Sequence, residues 1–122
     1  MALGGKLQIE DIYVRGVAPM EIPDPGNGGA IDVTRAGYML SVTGAAETRT
    51  LARPTFLGQR LLLICKTDGG DNVITVSHGF NASGNTIITL NDVGDCIELV
   101  CAMGASGNLT WNQSFTNGPT LS

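Results

Sequence analysis

The sequence predicts an all-β protein: an antiparallel β-sandwich, jelly-roll-like, carrying an extended N-terminal arm. Three observations lead there. Short β-branched runs recur between turn residues, and 17 glycines in 122 residues supply the places where the chain can reverse. The best helical windows are cut by Gly or Pro, and their apolar residues do not keep helical spacing. The connections are short, of the length that joins antiparallel neighbours.

Taken in order, Leu7, Ile9, Ile12 and Val14 read as an early strand whose alternation changes phase near Asp11, as one extra residue would produce. The segment from Pro19 to Gly29 follows, with prolines at 19, 23 and 25. Proline lacks the ladder donor and restricts the residue before it, so this stretch is neither helix nor central strand. Residues 1–30 are therefore expected to form an arm, and residues 31–122 the sandwich domain. In the body, strands are expected over 30–34, 37–43, 48–52, 59–66, 72–77, 86–90, 95–102 and 109–114. Between them lie turns such as Asp68-Gly69-Gly70-Asp71 and Asp92-Val93-Gly94-Asp95, where glycine supplies positive φ and Asp caps the turn. The runs Leu61–Cys65 and Ile97–Cys101 are apolar at nearly every position. Strands of that kind are covered on both faces, by a second sheet or by another subunit.

Composition narrows the function. Hydrophobic residues make up 43% and the mean hydropathy is +0.16, enough for a buried core. Charged residues are only 15%, below the roughly 25% usual in soluble domains. A surface so poor in charge suits coverage by a partner. The net charge of −4 and scattered Lys and Arg disfavour a nucleic-acid backbone as that partner. No apolar stretch approaches the roughly 18 residues of a membrane span, and Met1 to Lys6 lacks a signal-peptide layout. Cys65, Cys96 and Cys101 are an odd number and sit in apolar runs, so buried free thiols are expected rather than a disulfide framework. In one regular strand, Cys96 and Cys101 would point to opposite faces.

Constellations for chemistry are missing. His78 is the single histidine and has no nucleophile placed beside it; it reads as a loop residue at a strand end. The cysteines lack zinc spacing. Gly26-Asn27-Gly28-Gly29 opens no helix that could cradle a phosphate. The two D-x-G-D loops could offer oxygens to a cation such as calcium, but turn chemistry explains them with fewer assumptions. Three N-x-S/T sequons begin at Asn81, Asn108 and Asn112, and read as products of turn composition. Trp111 is expected in the core or at a subunit interface rather than as a sugar platform. No catalytic residue, cofactor or metal ligand is expected, and the chain is not expected to be an enzyme.

The stretch Ala46-Glu47-Thr48-Arg49-Thr50-Leu51-Ala52-Arg53-Pro54-Thr55-Phe56-Leu57-Gly58-Gln59-Arg60-Leu61, followed by Val73-Ile74-Thr75-Val76 and Gly84-Asn85-Thr86-Ile87-Ile88-Thr89-Leu90, resembles small virion proteins of tailed bacteriophages, of the capsid decoration or cement type. The likeness runs from about Asp32 to the C-terminus. It implies a protein made in the bacterial cytoplasm that binds the outer capsid surface as a homotrimer and strengthens contacts between major capsid subunits. A tail, baseplate or head-fibre component, or a carbohydrate-binding module, are the alternatives. The arm, residues Ala2 to Gly29, is expected to clamp a neighbouring subunit, with Leu7, Ile9, Ile12, Val14, Met20, Ile22, Pro23 and Pro25 as contact residues.

Overall fold

The computed structural model describes residues 20–81, 84–104 and 106–122. These residues are all-β, without helix. Ten strands run in order: β1 (Met20–Glu21), β2 (Gly29–Ala30), β3 (Gly37–Thr43), β4 (Glu47–Leu51), β5 (Arg60–Asp68), β6 (Asn72–Phe80), β7 (Asn85–Leu90), β8 (Cys96–Met103), β9 (Leu109–Asn117) and β10 (Thr120–Leu121). They form one mixed sheet with the order β1-β3-β5-β8-β9-β6-β4-β2; β7 joins β6, and β10 joins β7. The sheet curls into a half-barrel around a single core.

The expected antiparallel order is corrected here. β1, β3 and β5 pair in parallel, and so do β2, β4 and β6. The chain therefore winds through three turns of a coil, each turn laying one strand on each limb. The loops between β3 and β4 and between β5 and β6 are as short as hairpin loops, yet the strands they join lie in different limbs and do not pair. Each strand finds its hydrogen bonds one turn of the coil away. The loops themselves are stacked. Gly69 N–H donates to the Thr43 carbonyl (2.9 Å), Glu47 N–H donates to the Asp71 carbonyl (2.9 Å), and the Thr43 hydroxyl donates to the Gly70 carbonyl (2.7 Å). A Cβ at Gly69 would lie 2.7 Å from the Gly44 carbonyl carbon, so the paired glycines are what lets one loop sit on the other.

Antiparallel pairing begins after the coil. β8 adds to β5, β9 to β8, and β7 to β6. His78 (φ 66°) and Gly79 (φ 76°) bend the end of β6, where its register against β7 shifts. Phe80 thereby meets Trp111 of β9, and Asn81 beside it accepts from Gln113 N–H (2.7 Å), so that β9 joins the two limbs. The alternation of each strand then fixes what is inside. Met39, Leu61, Leu63, Ile97 and Leu99 from one limb face Leu51, Ile74, Ile88 and Leu90 from the other, all fully buried. Trp111 lies in this core as expected, and its indole N–H donates to the Ala52 carbonyl (2.9 Å), satisfying the one polar atom it brings inside.

Met20 to Ala30, placed in the arm by sequence, contribute β1 and β2 to the sheet edges. Ile22 and Ile31 are core residues of the chain itself. Two-residue strands satisfy the edges of β3 and β4 without needing a long run of ladder donors, which is how a proline-rich stretch can serve there.

Candidate protein-docking face

On the limb formed by β3, β5 and β8, the inward positions belong to the core and the outward positions remain. Register places these outward side chains in rows. Tyr38 lies beside Leu62, Leu62 beside Glu98, and Glu98 beside Phe115; the next row runs Leu40, Ile64, Cys96 and Asn117. Tyr38, Leu40, Leu62, Ile64, Cys96 and Val100 are half-buried, and Phe115 is 52% exposed. Leu62, Ile64 and Cys96 floor a hollow walled by Phe115. A second groove of about 640 Å³ shares Leu62 and Glu98 and extends to Tyr38, Phe56 and Met20. Leu57, at the tip of the adjoining turn, is 60% exposed. The face is thus one continuous apolar surface, bordered on β9 by the polar Asn112 and Asn117.

The charge at its centre is balanced. Arg60 donates to Glu98 (2.9 Å), and the Ser114 hydroxyl donates to the same carboxylate oxygen (2.6 Å). An ion pair this exposed contributes at most ~1 kcal/mol to stability, but it neutralises the centre of the face, with Glu21, Arg35 and Lys66 at the margins.

Cys96 is the one cysteine on this face. The expectation that all three thiols are buried holds for Cys65 and Cys101 and is corrected for Cys96, which is half-buried. Cys96 and Cys101 do point to opposite faces, and all three are free. Burial raises the thiol pKa of Cys65, helped by the nearby carboxylates of Asp68, Asp95 and Asp92; burial alone raises that of Cys101. Both core thiols are therefore poor nucleophiles.

The residues singled out from sequence fall elsewhere. Leu7, Ile9, Ile12 and Val14 lie outside the described residues. Met20 is exposed on the rim of the groove (58%), and Pro23 and Pro25 are exposed. Ile22 is corrected: it is fully buried in its own chain and has no surface to offer a neighbour. The proline spacing reads as an extended arm, whereas one apolar side chain between two prolines is enough to anchor it. His78, expected in a loop at a strand end, lies inside β6 instead, exposed at its bend. In the D-x-G-D loops the carboxylates cap their own turns. Asp68 accepts from Gly70 N–H (3.2 Å), and Asp95 accepts from Asn91 N–H (2.9 Å) and Asp92 N–H (3.1 Å). Among the described residues, no group of three or more His, Cys, Asp or Glu could hold a metal ion.

The stretch that carries the resemblance is structural. Arg49, buried on β4, donates from Nε to Asp24 (2.6 Å), from Nη2 to the same carboxylate (2.9 Å) and from Nη1 to Asn72 (3.2 Å); Glu47 lies 3.0 Å from Nη2. Asp24 in turn accepts from Val42 N–H of β3 (2.8 Å). One carboxylate thus joins the proline segment, β3 and β4. Burial would raise the Asp24 pKa, but the Arg49 guanidinium and the Val42 and Gly26 N–H groups outweigh it and hold it below the usual range. The Gly44 N–H, with Arg49, lowers that of Glu47. Farther along, buried Gln59 donates to the carbonyls of Val33 (2.9 Å) and Arg35 (3.3 Å) and accepts from Thr55 N–H (2.8 Å), pinning the crossover before β5.

No family model matches the chain, and no curated protein matches it in sequence.

Proposed function

We propose that this chain is a structural decoration protein of a tailed-bacteriophage capsid, which binds the outer capsid surface and stabilises contacts between major capsid subunits. The observation that carries a protein-binding role is the apolar outer face of β3, β5 and β8: side chains of this kind, contiguous and bordered by polar residues, have the anatomy of an interface core with its rim. The phage setting rests on the likeness in residues 46–61, 73–76 and 84–90. The low charge of the chain supports it, because a lattice protein covers much of its surface. On this reading the two limbs act as the layers of a sandwich. A jelly-roll order would need antiparallel neighbours where β1-β3-β5 and β2-β4-β6 run parallel, so the sandwich is retained without the jelly roll. Copies of the chain and the major capsid protein are the partners, and no catalysis, cofactor, nucleic acid or membrane enters. Residues before Met20 are proposed to reach the neighbouring subunit, since Ile22 is committed to the core. Burial of Trp111 removes the largest aromatic side chain from what a carbohydrate-binding module could use as a platform.

The test is location. Antibody raised against the chain, imaged by negative stain on particles from the host lysate, is expected to decorate heads around their whole outline. Label confined to tails or baseplates, or absent from particles, would overturn the proposal.

A further inference from the structure

We infer that the apolar face of β3, β5 and β8 is the contact between two copies of this chain, paired about a two-fold axis. The inference rests on the protein-binding reading of that face and assigns it an occupant: another copy rather than the capsid.

Four observations carry it. First, β5 is apolar at every position from Leu61 to Cys65 and β8 at every position but Glu98, a pattern of strands covered on both faces, yet the chain covers only one. Second, two copies of net charge −4 repel each other, so self-association needs a surface that brings no like charges together. At the centre of this face one cation and one anion, Arg60 and Glu98, are already paired, while Glu21, Arg35 and Lys66 lie at its margins. A two-fold axis near Leu62 and Glu98 would set each copy's Arg60 near the other's Glu98, reciprocally. Third, an isologous contact uses the same patch on both partners, whereas a ring of three needs two different matching patches. Among the described residues this is the one contiguous apolar face; the outer face of β4, β6 and β7 is rich in threonine. The inference thereby departs from the three-fold assembly that the resemblance implies. Fourth, the area suffices. Four strands at about 4.8 Å spacing and three rows of outward residues give a flat footprint of roughly 400 Å². Phe56, Leu57 and Phe115 stand up from it and enlarge the accessible area, so that two copies together approach the ~1,200 Å² at which specific interfaces begin. An interface of that size predicts reversible pairing, with a Kd of about 1–100 μM.

Analytical ultracentrifugation of the full chain between about 1 and 200 μM tests this range. The wild type is expected to pass from one chain mass to two. Leu62→Lys should weaken pairing at least tenfold, while Thr75→Lys on the opposite limb should leave it unchanged. Ile64→Thr, which keeps a β-branched residue, serves as the milder variant, and unchanged Trp111 fluorescence shows that each variant is folded. A wild type that stays monomeric, a three-chain species, or equal loss with Thr75→Lys would each overturn the inference. Failure here is distinct from failure of the decoration reading: a monomer that still labels heads contradicts only the pairing, and a dimer found on tails contradicts only the decoration role.

Discussion

On the limb of β3, β5 and β8 the outward residues include the apolar Tyr38, Leu40, Leu62, Ile64, Cys96 and Val100 beside the paired Arg60 and Glu98. On the limb of β4, β6 and β7 the outward rows run Thr48, Val73, Thr89 and then Thr50, Thr75, Ile87. Each of those rows contains two threonines and one aliphatic residue. Threonine and the β-branched aliphatics suit a strand's backbone almost equally, and differ in how they meet water. The second limb shows that threonine can fill most of the outward positions of this fold. The apolar side chains of the first limb are thus in excess of what folding asks, and contact with another protein accounts for them.

The largest expected effect belongs to neither face and sets the frame for both. Asp24 joins the proline segment to β3 and β4, so Asp24→Ala leaves Arg49 buried with Glu47 as its remaining carboxylate. Stripping one partner from a buried ion pair costs roughly 3 kcal/mol. Urea denaturation should show that loss, with β1 and the Met20 rim loosening first. A related test uses pH. The pKa values of Asp24 and Glu47 are depressed in the folded chain, so the stability they contribute is complete above the ordinary carboxylate range and is lost as pH falls through the folded values. Thermal midpoints should decline below about pH 4, and Asp24→Asn should flatten that decline.

Changes on the faces themselves are smaller in stability and larger in association. Ile64→Thr makes the first limb resemble the second. Because Ile64 is half-buried, the monomer should lose no more than about 1 kcal/mol in urea unfolding, while self-association falls sharply. Thr75→Val does the reverse on the threonine limb. It should alter monomer stability by less than about 0.5 kcal/mol and lower the concentration at which the protein precipitates.

How much of this could be read from sequence depends on which physical signal each residue carries. The strands from Gly37 to the end of β9 were legible because alternation and turn residues report local conformation directly. Near-complete apolarity of Leu61–Cys65 and Ile97–Cys101 announces coverage on both faces, and it is this signal that marks the candidate face. The parallel coil was not legible. A loop of three residues reverses the chain equally well within one sheet or across two, and only the position of the next turn decides which. Gly69-Gly70 was the available hint, since two adjacent glycines can mark backbone stacked on backbone as well as a tight hairpin. The Arg49 lock was hidden for a similar reason. Its partners Asp24 and Asn72 are more than twenty residues away on either side, and a lone arginine at an inward strand position gives no sign of who will meet it. Ile22 was misread because its flanking prolines spoke more loudly than its side chain.

The central claim, that the outer face of β3, β5 and β8 is a contact surface, is tested most directly by the reactivity of Cys96. With Cys65 and Cys101 in the core, Cys96 is the thiol that an aromatic disulfide reagent in fixed excess should reach first. In the wild type, its rate is expected to fall several-fold as the protein is raised from about 1 to 200 μM, across the range set by the interface area. In Leu62→Lys it should stay fast throughout. A wild-type rate that does not change with protein concentration would contradict the account.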